Sequence, residues 1–262
     1  MTTTAVIVQA RLDATRLPGA ILQTLGQQTA LIRCLDRCRA TPGVDLVVCA
    51  IPGDSAHDPV EEEAGDHGYM VVRGPGTDPL GLYAEAAEMA GATTLVHVPA
   101  SAAFADPGLI AQTLALHRDS RADYATNAMP PRFPHGLECE VFSSRCLFEV
   151  EAASATVEAR QSVSQALRAD SRLVRASLTG PGGGLERLRW VLEREEDLAF
   201  LRAVFAALGA EAARASAAEI AALCLRRPDL VAISSACVDE MRLGAGDRAD
   251  IVTDPVSLAL AA

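Results

Sequence analysis

The sequence predicts an α/β fold, a doubly wound and mostly parallel sheet with helices packed against it. Three observations predict it. Four short apolar runs rich in β-branched residues, Ala5 to Gln9, Leu46 to Ile51, Tyr69 to Val72 and Thr94 to Val98, read as strands. Stretches with helical period separate them, which is the alternation of βαβ units. Asp58-Pro59 and Asp106-Pro107 each place a capping side chain and a fixed φ where a helix opens.

Taken in order, VIVQARLDATRLPG (Val6 to Gly19) runs from the first strand into a loop with Arg11, Arg16 and a Pro-Gly turn. Ligands of open α/β sheets sit beyond the carboxyl ends of strands, and arginine forks match phosphate oxygens. The loop is therefore a candidate phosphate cradle, with a solvated turn as the plain alternative. Thr29 to Ala40 sets Ala30, Leu31, Ile32, Leu35 and Cys38 on one broad face and Arg33, Asp36 and Arg37 outside it. The helix opened by Asp58-Pro59 carries Glu61 to Glu63 in its first turn, where the helix dipole favours acids; Asp106-Pro107 opens another, to about His117. MPPRFPHGLECEVFS (Met129 to Ser143) interrupts the pattern with three prolines and reads as a rim excursion that leaves the sheet and rejoins it through an alternating strand. Thr179 to Gly184 reads as a flexible connector, followed by a strand through Trp190 and Val191 and a long amphipathic helix from about Glu195.

The 262 residues suit one large domain over 1–236, with a rim insertion over about 125–180 and a tail over 237–262 that carries no usable motif. Aromatics are 4% of residues while apolar residues are 50%, so the core must be built from Ala, Leu and Val. A net charge of −11 argues against nucleic-acid or anionic-membrane partners, and any phosphate site must be local. All 23 basic residues are arginine, so no step can use a lysine ammonium. Seven cysteines without Cys-x-x-Cys spacing and five scattered histidines give neither a disulfide framework nor a metal cluster by spacing; Cys34 and Cys38 read as small core residues. With no signal-peptide pattern and no apolar run of spanning length, the expected location is the cytoplasm.

QARLDATRLPG, the Asp58-Pro59 start, RGPGTDPLGLY (Arg73 to Tyr83), the strand before AFADP, PPRFPHGLECEVFS and LRWVLEREEDL occur in one order. Over about residues 4 to 232 this order resembles the cytidylyltransferases of the spore-coat-polysaccharide type, relatives of the enzymes that activate Kdo and sialic acids with CTP. The resemblance implies a Rossmann-like fold with a protruding dimerisation element, a homodimer, and CMP transfer from CTP to a small acidic sugar in glycoconjugate synthesis. It assigns Arg11 and Arg16 to catalysis, Gln9, Ala10, Arg11, Arg16 and Arg73 to the nucleotide, Arg160 to the acceptor and Glu193 to Mg²⁺, with surface carboxylate pairs for the two loop arginines and an exposed strand-end acid for Glu193 as the plain alternatives; Glu138 and Glu140 are candidates for the acceptor's hydroxyls or a cation, or an exposed rim. The dimer contact is expected at Met129 to Ser143, because a strand leaving the sheet would expose an edge.

The departures matter as much. Where the family has Gly-Ser this loop has Asp13-Ala14, and where it has lysine after Pro-Gly this chain has Ala20. The central metal aspartate falls on Ser101, and the histidine of the family's Arg-Glu-His-Val-Thr falls on Ser162. Two readings follow: an active or weakly active transferase holding Mg²⁺ through Glu193, or a non-catalytic relative that binds nucleotide or sugar or serves as a scaffold. Glu138 and Glu140, two apart on the expected strand, should face one side; Asp13 should turn outward or pair with an arginine, Arg16 first.

Overall fold

The computed structural model describes residues 2–13, 16–244 and 249–253; Ala14 and most of the tail beyond 244 lie outside them. In β1 (Thr4–Gln9), Val6 and Val8 join one apolar cluster and Ala5 and Ile7 another, so both faces of the strand are covered. A short antiparallel hairpin, β2 (Thr24–Leu25) and β3 (Gln28–Thr29), leads into α1 (Ala30–Arg39), whose N-cap is Thr29. Then come β4 (Leu46–Pro52), α2 (Asp58–Asp66), β5 (Met70–Gly74), α3 (Pro79–Ala90), β6 (Thr94–Pro99), α4 (Pro107–Ser120) and β7 (Tyr124–Thr126). After the excursion follow β8 (Glu140–Ser143), α5 (Ser144–Ala153), α6 (Val157–Arg160), α7 (Val163–Ala169), β9 (Arg175–Leu178), α8 (Glu195–Leu208), α9 (Ala217–Arg226) and β10 (Ile251–Thr253).

The sheet order is β10-β9-β7-β8-β6-β1-β4-β5. Among the described residues β8 alone runs antiparallel to its neighbours, β6 and β7; the other pairings in this sheet are parallel. This is the doubly wound α/β fold expected. A third apolar cluster, around Phe104, Trp190, Phe200 and Leu201, carries α8 and α9 on the main body. Arg37 fastens that body together: its buried guanidinium donates to the carbonyls of Ala105, Ala213 and Ala215 at 2.6, 3.1 and 2.7 Å. Among the described residues no helix is long and apolar enough to cross a membrane.

Several local expectations are corrected. β8 is paired on both sides, and Met129, Phe133, Leu137 and Cys139 are buried. The 129–143 segment thus leaves no free edge, and the edge-based argument for a dimer contact there has no basis. Trp190 and Val191 are not in a strand: Trp190 N donates to His135 O at 2.7 Å and Leu192 N to Ser101 O at 3.0 Å, so the stretch is held by two loops. Asp58 lies inside α2, because Asp54 caps a 3₁₀ turn over Ser55–His57 that precedes it. Asp106 is the N-cap of α4 and also accepts from Ala217 N at 2.6 Å, anchoring the start of α9. The 179–184 connector is close-packed at Gly180, where a Cβ would lie 2.8 Å from the Arg132 carbonyl carbon. Within the tail, β10 adds an edge strand beside β9.

Candidate functional site

Gln9 ends β1 and Pro99 ends β6, and the two are register partners. The chain proceeds from β1 to β4 and β5 on one side and to β6 on the other, so the gap beyond β1 and β6 is the topological switch point of the sheet. A cleft of about 390 Å³ opens there, walled by Ala20, Ile21, Pro99, Ala100 and Leu192, with Gln9, Arg11, Arg16, Ser101 and Glu193 as its polar groups. The Gln9 amide nitrogen is buried and has no hydrogen-bond partner among the described residues. Among the described residues no acceptor meets it, and a ligand acceptor would satisfy it.

Gly19, at φ +71°, makes the turn that closes the loop, and its N–H donates to Leu12 O at 3.0 Å. A residue with a Cβ is strained in that left-handed conformation. Leu12 N donates to His57 Nε2 at 3.2 Å while His57 Nδ1 lies 2.9 Å from Asp54 Oδ1, an arrangement that puts the ring proton on Nδ1. Buried His57 thereby holds the loop from beneath.

Arg11 donates from Nη1 to Gly76 O at 2.9 Å and grips Asp13 with Nε at 2.9 Å and Nη2 at 2.6 Å. That contact raises the Arg11 pKa and holds the Asp13 carboxyl below its ordinary value. Asp13 therefore pairs with an arginine, as expected, but with Arg11 and not Arg16, because the Nε/Nη2 edge of Arg11 reaches it across only two residues. Arg16 finds Glu193 instead, Nη1 to Oε2 at 3.2 Å.

Glu193 is fixed from behind. Its Oε2 also accepts from Arg189 Nη2 at 2.9 Å, and Arg189 is clamped by Asp197 at 2.7 and 2.9 Å. Burial alone would lower the Arg189 pKa, but Asp197 and Glu193 raise it above its usual value. Asp197 Oδ2 accepts in addition from the backbone N–H of Glu193 and Arg194, both at 3.0 Å, which ties the start of α8 to the cleft wall. His135 Nδ1 lies 3.2 Å from Arg189 Nη1.

The structure thus brings Gln9, Arg11, Arg16 and Glu193 together, with buried Ala10 directly behind, its N–H on Ala50 O at 2.9 Å. Arg73 stands outside the cleft lining, on Asp54 O and Asp58 at 2.7 and 2.8 Å and on Glu61. Arg160 ties Asp78, the N-cap of α3, to Glu151 of α5. Glu138 precedes β8 and does not share a strand face with Glu140. It accepts from Gly136 N at 2.7 Å and from Arg242, while Glu140 is buried against Arg168 and Ser164, each at 2.6 Å. Burial alone would raise the Glu140 pKa, yet Arg168 and His97 hold it below the ordinary carboxylate value.

Sequence reasoning missed Arg189, Asp197, His57 and Asp54. The first two are eight residues apart across an irregular stretch, so no periodicity links them. The last two show a weak local signal, an aspartate three before a histidine ahead of a helix.

No protein-family model matches the chain. It is 27% identical over 232 residues to the spore coat polysaccharide biosynthesis protein SpsF of Bacillus subtilis (strain 168), covering 85% of this chain and 94% of that protein. In fold it is similar to a cytidylyltransferase from Leptospira borgpetersenii, with TM-score 0.81 at 20% identity over 88% of this chain and 97% of that one. It is also similar to a CMP:2-keto-3-deoxy-manno-octonic acid synthetase solved with CTP, with TM-score 0.59 at 15% identity over 79% and 99%. Rv0371c from Mycobacterium tuberculosis, solved with manganese, gives TM-score 0.53 at 15% identity over 78% and 99%.

Proposed function

We propose, for a chain that resembles the spore-coat-polysaccharide type of cytidylyltransferase in sequence and in fold, CMP transfer from CTP to an acidic sugar or comparable small acceptor in glycoconjugate synthesis, in the cytoplasm and as a homodimer. The observation that carries the reading is the meeting of Gln9, Arg11 and Arg16 in one cleft at the switch point. The acceptor oxygen attacks the α-phosphorus, the bond to the β-phosphate breaks, and pyrophosphate leaves. Arg11 and Arg16 offset charge on the transferring and departing phosphates, and the Gln9 amide donates to an acceptor atom of the bound ligand.

The divalent cation that the resemblance implies does not fit the donors present. Ser101 offers a neutral hydroxyl, and the carboxylate of Glu193 shares one oxygen between two guanidiniums.

One observation favours the second reading, a non-catalytic nucleotide- or sugar-binding relative: Asp13 and Glu193 already stand on Arg11 and Arg16. Pyrophosphate release from CTP in the presence of acidic sugars separates the two. Release that depends on Arg11 and Arg16 supports the transferase. CTP binding by calorimetry without release supports a nucleotide-binding relative, and no binding at millimolar CTP removes the transferase and supports a sugar-binding protein or a scaffold.

A further inference from the structure

We infer that this cleft takes the phosphate groups of its ligand on two arginines without a divalent cation, and that the ligand must first displace two carboxylates, Asp13 from Arg11 and Glu193 from Arg16. The inference rests on the phosphate-site reading of the cleft and deepens it by changing what neutralises the ligand.

A magnesium ion takes oxygen ligands in near-ideal octahedral geometry, commonly one or two carboxylates with water and phosphate filling the rest. Of the described residues lining the cleft, one is a carboxylate, Glu193. Its Oε2 accepts from Arg16 at 3.2 Å and from Arg189 at 2.9 Å. Arg189 cannot swing aside, since Asp197 holds both its Nε and its Nη2 in a buried pair. A dication on Glu193 would therefore have Oε1 alone, beside a fixed guanidinium on Oε2 of the same carboxylate. Among the described residues no three His, Cys, Asp or Glu side chains form a group that could hold a metal.

The same geometry explains how anions can be held instead. Arg11 presents to Asp13 the two-nitrogen edge that a phosphate would take, and its third nitrogen is anchored on Gly76 O at 2.9 Å. Asp13 is about half exposed and can turn to solvent at small cost, and Glu193, about a third exposed, has only its exposed contact with Arg16 to give up while Arg189 and Asp197 stay buried behind it. The two carboxylates act as built-in competitors of the ligand's phosphates. Removing either should tighten binding, the opposite of what removing a metal ligand does.

The test is calorimetric titration of the full chain with inorganic tripolyphosphate and with CTP, each in EDTA and in excess Mg²⁺, for the parent, Asp13→Gly, Glu193→Gln and Arg11→Ala. Circular dichroism verifies that each variant is folded. Tripolyphosphate is expected to bind in EDTA, Asp13→Gly and Glu193→Gln each to tighten it by about twofold to fivefold, and Arg11→Ala to weaken it about tenfold or more. Binding of either anion only in Mg²⁺, with Glu193→Gln losing it, overturns the inference and leaves the transferase reading standing. Tripolyphosphate binding in EDTA with CTP no tighter supports the inference and removes the cytidine reading. No binding of either anion in either condition overturns both.

Discussion

Arg189 and Asp197 form a buried two-point pair, Nε to Oδ1 at 2.7 Å and Nη2 to Oδ2 at 2.9 Å, from opposite sides of the turn that presents Glu193 to the cleft. Neither charge can be rehydrated in place, because both side chains are at most 3% exposed. Removing one partner leaves the other uncompensated. Arg189→Met is expected to lower stability by about 3–5 kcal/mol, and the double variant with Asp197→Leu to recover part of that loss. Urea unfolding of the single and double variants measures both. Equal losses would mean that Asp197 acts mainly through its hydrogen bonds to the backbone of Glu193 and Arg194.

Gly136 controls the same wall from the other side. Its φ is +105°, and a Cβ there would lie 2.6 Å from Val191 N and 2.7 Å from the Trp190 carbonyl carbon. Both are backbone atoms, so no rotamer change relieves the contact. Gly136→Ala should separate His135 from Trp190 and cost more than about 1–3 kcal/mol. Denaturation gives the magnitude, and tighter anion binding in a variant still folded would report a Glu193 displaced from Arg16.

How much of this was legible in the sequence depends on the range of the interaction. β1, β4 and β6 show as apolar runs because each is buried on both faces, the edge strand β5 shows through its β-branched Val71 and Val72 although only Val72 is buried, and Asp106-Pro107 declares its helix because capping is local. Partner choice is not local. Arg16 meets Glu193 across 177 residues, and β10 joins β9 through a three-residue strand with no periodicity to announce it. Glu138 and Glu140 seemed to share a strand face, but the strand begins only at Glu140, and each carboxylate took the arginine that the tertiary fold delivered. The order of motifs named Gln9, Arg11, Arg16 and Glu193, which line one cleft; that the two arginines could pair with carboxylates was open in the sequence, but not which carboxylates.

Stability should fall as the pH is lowered from about 7 toward 5. Burial depresses the folded-state pKa values of His97, His117 and His135 below the ordinary 6.5. A histidine whose folded pKa lies below its unfolded value binds more protons in the unfolded chain through that window. Its contribution is therefore complete above the unfolded value and is lost as the pH falls through the folded one. Thermal melts across this range should show a declining Tm, with a smaller slope in His117→Gln. An unchanged slope in that variant would assign the decline to the other two histidines.

Gln9 sets stability against binding. Its amide nitrogen is buried at the end of β1 with no acceptor among the described residues, and an unpaired buried donor costs about 1–3 kcal/mol. Methionine has nearly the same length and no donor, and the apolar neighbours Ile21, Pro99 and Leu192 line the same cleft. Gln9→Met should therefore raise folding stability by about 1 kcal/mol, because the desolvation penalty disappears while the side-chain volume is kept. If the donor exists for a ligand, the same substitution must weaken CTP binding by about tenfold, since the acceptor it serves is then left unpaired. Tripolyphosphate separates the two ends of the ligand. A loss confined to CTP places the Gln9 amide against the nucleoside, and an equal loss for both places it against phosphate. A variant that gains stability and binds both anions unchanged would show that the unpaired donor faces no ligand at all.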